Sequence, residues 1–362
     1  MGRHQIAIRL AKHFYNIWVN PAHHWRHMAP RFFVRSPSVR RVPGAASLFV
    51  YQPEAWLPML FHGHALSRML LRARIKRAKR VLRRMGCRRF VLYLWRPQLA
   101  EAALAAKFDL VCYHIADEYS FSEDEVPVDS REAALIAAVD RVFVTSDALM
   151  KKKGHINPST FLVPNGVDFS AYSTPMSEPA DLRGIQHPRV GYTGYLKKHV
   201  DWELLEWLAA AHANWSFVFV GPMTPEPAID AAVRRLRNRA NVHFLGPRTT
   251  RELSAYPQHF DVCIMPYRRT AYTQYINPLK LNEYLASGRP VVSSRIAAIA
   301  GMENLVIPAS SREEWSAALT TALDHRLQTS SAAQERQALA REHDWDARVD
   351  SIARLIIDGL DR

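Results

Sequence analysis

From Asn16 onward, short runs of β-branched and aromatic residues alternate with longer stretches of helical periodicity. The runs NIWVN, SLFVYQ, RFVLYLW, DLVCYHI, RVFVTS and TFLVP are separated by helical patterns such as 97–106 and 131–139. The second half repeats the plan with RVGYTG, SFVFVG, NVHFLG, DVCIMPY, PVVSS and LVIPA, spaced by helical segments at 201–213, 229–239, 251–259 and 278–287. Such alternation predicts parallel sheets wrapped by helices, so the fold class is α/β with two doubly wound, Rossmann-like domains. Between them residues 170–187 are polar, contain two prolines and follow neither period, which predicts a linker. The N-terminal domain is accordingly placed at 1–169 and the C-terminal one at 188–343. Ligands of doubly wound domains bind at the carboxyl ends of the strands, so two such sheets facing each other predict a cleft.

A chain of 362 residues, 48% hydrophobic, can bury two cores. Cys87, Cys112 and Cys263 lie far apart and at no metal-ligand spacing, a pattern of a reducing compartment. No apolar run approaches a membrane span, and Arg3, His4, Arg9 and Lys12 interrupt any signal core, so a cytoplasmic protein is expected. The net charge of +14 is uneven: residues 1–170 carry 26 Lys/Arg against 13 Asp/Glu, and the remainder is nearly balanced. One stretch, Arg68–Arg89, holds 11 basic residues and no acidic one, with apolar positions at partly helical spacing. A solvated helix face is the plain reading; an anionic membrane surface is the partner such a face would meet. A nucleic-acid binder is the competing reading, yet the chain has no RNP-like strand, KH loop or zinc spacing, and none is expected.

Chemistry concentrates in two places. In Asn277–Gly288, Asn277 is a candidate N-cap, Pro278 suits the first turn and Gly288 the stop, so a helix should open just past strand DVCIMPY. Its free N–H groups would face a diphosphate, Lys280 in the first turn would need a nearby anion, and Glu283 could accept two ribose hydroxyls. A surface i,i+3 pair is the alternative. In Val190–His199 a strand runs through Gly194 into Lys197 and Lys198, which can cradle a phosphate or form an ordinary turn.

Together with CYHIADEYSFS, FVTSDALMKKKG, FLVPNGVDFSAY, NVHFLGPR and DVCIMPYRR, these segments resemble the GT-B retaining glycosyltransferases of family 4, especially the exopolysaccharide and teichuronic-acid subgroup. The resemblance implies transfer of a sugar from a nucleotide-sugar donor, UDP favoured, to a glycan or lipid-linked acceptor, with no cofactor and no metal. It implies Gly194, Lys197, Lys198, Asn277, Pro278 and Lys280 around the donor diphosphate, Glu283 on the ribose, and Pro247 and Arg248 near the base. It places His114 and Asp117 at the transferred sugar or acceptor, each able to orient the acceptor or take its proton, His114 near neutral pH. It makes Asn165 and Asp168 hinge residues and packs a last helix, 344–362, back on the N-terminal domain. A nucleotide-sugar epimerase of the same architecture is the alternative enzyme.

Two departures stand out. The family often carries two glutamates with seven residues between them, but the first position is Tyr275 here. The chain also opens on what resembles the family's first helix, so its first strand is expected to be missing and the start to be late.

Overall fold

The computed structural model describes residues 2–20, 38–53, 65–97, 104, 106–223, 226–324 and 327–362; the helix expected at 97–106 lies largely outside them. The chain divides into two compact units, one formed by 1–116, 127–163 and 348–362, the other by 117–126 and 164–347. This corrects the boundary at 169: residues 117–126 and 164–169 belong to the second unit. The linker expected at 170–187 is likewise part of that unit. Its polar composition hides three buried apolar side chains, Tyr172, Leu182 and Ile185. Arg189 fastens it by donating to the carbonyls of Leu182 and Ile185 and pairing with Glu178.

The first unit opens with α1 (Gly2–Leu10) and β1 (Asn16–Val19). β2 (Ser38–Arg41) and β3 (Leu48–Gln52) complete a sheet of order β1-β3-β2, with β1 parallel and β2 antiparallel to β3. β2 was not evident in the sequence, because its strand SVRR has no apolar alternation. After α2 (Ala65–Arg84) come β4 (Val91–Leu94), β5 (Leu110–Ile115), β6 (Arg141–Val144) and β7 (Thr160–Leu162), an all-parallel sheet in that order. Asp129 caps α3 (Ser130–Ala138) through the N–H groups of Arg131 and Glu132, and Ser146 caps α4 (Asp147–Lys153) through that of Leu149. Between these helices the buried Lys153 ammonium pairs with Glu132 at 2.9 Å, and Tyr113 donates to the same carboxylate.

In the second unit, β8 (Arg189–Thr193), β9 (Ser216–Val220), β10 (Val242–Gly246), β11 (Val262–Met265), β12 (Val291–Ser294) and β13 (Val306–Ala309) form one parallel sheet of order β10-β9-β8-β11-β12-β13. β8, β9, β11 and β12 are buried at every position, as a sheet covered on both faces requires. The helices in chain order are α5 (Phe169–Ser173), α6 (Trp202–Ala211), α7 (Pro227–Arg237), α8 (Thr250–Leu253), α9 (Ala255–Gln258), α10 (Ala271–Tyr275), α11 (Leu279–Ala286), α12 (Arg312–Ala322) and α13 (Ser330–Glu342). Trp202, Phe217, Phe219 and Trp315 centre one core cluster, and Tyr256, Phe260, Tyr284 and Leu285 the other. The last helix, α14 (Trp345–Leu360), starts in the second unit and ends in the first. There Gly359 lies so close to Leu110 that a Cβ would come within 2.8 Å of its side chain.

The strand order of the second unit is that of a doubly wound sheet with its reversal between β8 and β11. Ligands bind such sheets outside the carboxyl ends of the strands at that reversal. The loops after Thr193 and Met265 are therefore the place to look.

Candidate functional site

β8 ends in Gly194, whose φ of +116° is open to glycine and costly for other residues. The backbone turns there directly above Lys280: a Cβ on Gly194 would sit 3.5 Å from the Lys280 Nζ. Lys280 donates to the hydroxyl of Tyr192, on β8, at 2.7 Å and to that of Tyr267, just after β11, at 3.1 Å. The ammonium also lies 4.1 Å from the centre of the Tyr192 ring. Two neutral hydroxyls and two aromatic faces hold the cation in place without neutralising it. Desolvation brings its pKa down to about 7, Glu283 pulling it back up and Lys197 pressing it further down.

Glu283 follows one turn later on α11 and accepts a hydrogen bond from Tyr172, on α5; burial raises its pKa and Lys280 opposes that rise. Tyr284, the next residue, ties α11 to β8, its hydroxyl accepting from the Thr193 N–H at 2.8 Å. The site thus has a cation and a carboxylate at the start of a helix whose Leu281 N–H is taken by the Pro278 carbonyl at 3.1 Å, leaving the N–H groups of Leu279 and Lys280 to meet an anion.

Asn277 is not the cap expected from the sequence. The N-cap is Pro278, with no side-chain cap bond, and Asn277 turns away to the crossover, accepting the Asn165 N–H at 2.9 Å and the Asn165 side-chain N–H at 2.6 Å. Asn282 donates to the Asn165 carbonyl and its Oδ1 meets His343 Nδ1 at 2.9 Å, so the three asparagines fix α11 to the segment before α5. Leaving the N-cap without a side-chain acceptor keeps the helix end open.

Lys197 is exposed and Lys198 partly so. Both raise the positive potential around His199, whose pKa burial, with their help, lowers to about 4. Arg248 is less available than its spacing implied: it donates to the Tyr256 hydroxyl at 2.6 Å, to the Pro247 carbonyl at 2.8 Å, and pairs with Asp181. Pro247 is exposed beside it.

Asp117 comes into this unit on a strap, 117–126, that sequence reasoning assigned elsewhere. The strap is stitched to α10 by Ala271 N–H to the Glu123 carbonyl at 2.7 Å and by Arg268 to the Glu123 carboxylate at 2.8 Å. Tyr272 reaches Asp117 at 3.3 Å, while its ring stacks on His199 at 4.3 Å and meets Phe121 at 5.5 Å. Tyr275, standing where the family's first glutamate is often found, donates to Glu125 of the strap at 2.7 Å. Tyr192, Tyr267, Tyr172 and Tyr272 were not identified from the sequence, where each is one more aromatic in an apolar run or a short helix.

His114 belongs to the first unit, on β5, and is 1% exposed. Its Nδ1 meets the Tyr93 hydroxyl at 2.7 Å, Trp95 stacks on it at 4.5 Å, and Nε2 has no partner among the described residues. Burial brings its pKa to about 3, so the expectation that it exchanges protons near neutral pH is corrected: it stays neutral there.

Residues 187–325 match the family model described as Glycosyl transferases group 1. The chain is 30% identical over 182 residues to a protein named as a teichuronic acid biosynthesis glycosyltransferase, TuaH, of Bacillus subtilis (strain 168); the match covers 49% of this chain and 45% of that one. The chain thus spans about half the length of that curated relative. Among solved structures, an alpha,alpha-trehalose-phosphate synthase (UDP-forming) from Burkholderia vietnamiensis superposes with a TM-score of 0.66 at 16% identity, over 100% of this chain and 96% of that one. The E. coli structure described as trehalose-6-phosphate bound with UDP-2-fluoro glucose gives 0.67 at 13% identity, over 99% and 96%. Residues 187–325 are therefore similar to the group 1 glycosyl transferases, and the chain as a whole has the GT-B fold.

Proposed function

We propose that this protein is a glycosyltransferase whose second unit binds a nucleoside diphosphate sugar and whose product is a surface or exopolysaccharide glycan. The observation that carries the reading is the Lys280 ammonium, held between two tyrosine hydroxyls at the open start of α11, with Gly194 above it and Glu283 one turn on. A diphosphate seated there meets Lys280, the free N–H groups of α11 and the field of Lys197 and Lys198, which together offset the charge that grows on it as the sugar leaves. Glu283 would take the ribose hydroxyls. UDP is the favoured nucleotide, since two solved structures of the same fold are described as UDP-forming or bound to a UDP sugar. The TuaH match, named for teichuronic acid biosynthesis, supports a glycan of that type, and the acceptor would be that glycan or a lipid-linked form of it.

Asp117, held by Tyr272, is the candidate to orient or deprotonate the acceptor hydroxyl, and transfer would proceed with retention and without a metal. His114, neutral and unable to act as a base near pH 7, would serve by hydrogen bonding through Nε2. The protein would work in the cytoplasm, with the basic face of α2 against an anionic membrane that presents the acceptor.

The test is a thermal shift against UDP, GDP, TDP and ADP, with Lys280→Ala and Glu283→Ala beside the parent chain. At 100 times its dissociation constant the right nucleotide stabilises the fold by about 2.7 kcal/mol. A selective shift lost in both variants supports the reading, and no shift with any nucleotide in a folded protein removes it.

A further inference from the structure

The strap 117–126 holds an aromatic side chain in a costly position. Phe121 has a φ of +50°, the one positive value outside glycine among the described residues, and its side chain is 42% exposed. A bulky residue in the left-handed region is strained, and the strain persists only where the surroundings enforce it. The Phe121 N–H closes a turn on the Glu118 carbonyl at 3.2 Å, and the carbonyl of the next residue, Ser122, accepts the Tyr272 N–H at 3.2 Å. The ring meets Tyr119 at 6.1 Å, with planes 71° apart, and Tyr272 at 5.5 Å, with planes 41° apart. Neither contact is a parallel stack, and much of the side chain stays open to water.

Polar groups rim this ring. Ser120, Glu123 and Asp124 of the strap are exposed, and the Tyr272 hydroxyl donates to the Asp117 carboxylate at 3.3 Å. One aromatic ring is far smaller than the patch of about 800 Å² that each side of a stable protein interface buries. It has the size of a single pyranose, whose C–H groups make an apolar face and whose hydroxyls make a polar edge. An aromatic surface with a few placed hydroxyls and carboxylates beside it matches both parts.

The ring is also continuous with the diphosphate site. Tyr272 stacks on His199 at 4.3 Å, the His199 carbonyl accepts the Arg268 N–H at 2.9 Å, and Val200 forms a β-bridge with Tyr267, whose hydroxyl receives Lys280. Among the described residues of the second unit, the other exposed large apolar side chain is Tyr195, next to Gly194. Exposed apolar residues scattered singly need no explanation, but these two stand on the two loops of one site.

We propose that Phe121 is the stacking platform for a pyranose ring of the acceptor, holding that sugar beside Asp117 so that one of its hydroxyls meets the carboxylate. This rests on the acceptor reading of Asp117 given above.

The test is ligand-detected saturation-transfer NMR on the 362-residue chain in the presence of UDP. The probes are the methyl β-D-glycosides of glucose, galactose, N-acetylglucosamine and glucuronic acid. At least one should receive saturation from aromatic protons of the protein, mainly on the hydrogens of one ring face. Phe121→Leu keeps the apolar bulk without a flat ring and should weaken that glycoside about fivefold, whereas Phe121→Trp should retain it. Both variants should keep the thermal shift with UDP, which shows that the fold and the nucleotide site are intact. Absence of transfer to every glycoside, or equal affinity in the Leu variant, overturns the proposal while the UDP shift leaves the nucleotide reading standing. A parent chain without a UDP shift fails the nucleotide reading instead, and the glycosides still decide the platform. Weakened uridine binding in the Leu variant with unchanged glycoside binding would make the ring a base platform and overturn the proposal as well.

Discussion

Lys280 sits where a helix least favours a cation, and its surroundings supply dipoles in place of a counter-charge. Its pKa of about 7 in the folded chain lies well below the ordinary lysine value near 10.4, which the unfolded chain retains. Between those two pH values the unfolded chain binds the extra proton, so stability rises with pH across that window and the full cost of the buried charge is carried below about pH 7. Lys280→Met removes the charge while keeping the stem. The variant should melt higher than the parent at pH 6 without nucleotide, by a few degrees, and the advantage should shrink toward pH 10. It should also lose the nucleotide shift. If Lys280 were an ordinary surface partner of Glu283, the variant would instead melt at or below the parent at pH 6, and that outcome would remove the anion-site reading of this residue. A stabilising substitution that abolishes binding is the expected behaviour of a group kept for function.

At the scale of elements, the loops after β8 and β9 support each other. Gly221 follows β9 at φ +149°, and a Cβ there would stand 2.1 Å from the Gly194 carbonyl oxygen, which is backbone and has little room to move. Gly221→Ala should displace the Gly194 turn, cost about 1–3 kcal/mol in stability and weaken nucleotide binding at least tenfold. Gly246 is a useful contrast, since it also has a positive φ, +76°, but opens onto empty space. Gly246→Ala should cost about 1 kcal/mol and leave the nucleotide Kd unchanged. Chemical denaturation and titration with UDP separate the two, and equal binding losses would mean that the β8 loop does not hold the diphosphate. The sequence made much of this visible. Strands such as RVGYTG and DVCIMPY were legible because a sheet covered on both faces needs unbroken apolar runs, and Lys280 and Glu283 because a helix start has local signals. The strap was not, since ADEYSFSEDEVP reads as a polar turn and its attachment to α10 is a matter of contacts about 150 residues apart. Asn277 misled for a related reason: a good capping residue was drawn to a distant backbone partner, Asn165.

For the whole molecule the informative quantity is where the charge lies. α2 presents Arg72, Lys76, Arg77, Arg80, Arg83 and Arg84 to solvent, with Met69 59% exposed near its start, while Ile75 and Ala78 face inward. The same surface continues through Arg88 and Arg89, of which Arg89 pairs with Asp361. Among the described residues no helix is long and apolar enough to cross a membrane, so attachment through this face would be electrostatic. Each basic residue near an anionic bilayer contributes about 1 kcal/mol, so replacing Arg72, Arg80 and Arg84 by Gln should remove about 3 kcal/mol, a loss of roughly 100-fold in partitioning. The parent chain should sediment with vesicles of phosphatidylglycerol and phosphatidylcholine, remain in the supernatant with phosphatidylcholine alone, and be released by 0.5 M salt, where the Debye length falls to about 4 Å. The triple variant should stay soluble with both while keeping its nucleotide shift, since the two properties reside in different units. Retention on single-stranded RNA that exceeds retention on the anionic vesicles at equal salt would reverse the assignment and make the basic face a nucleic-acid surface.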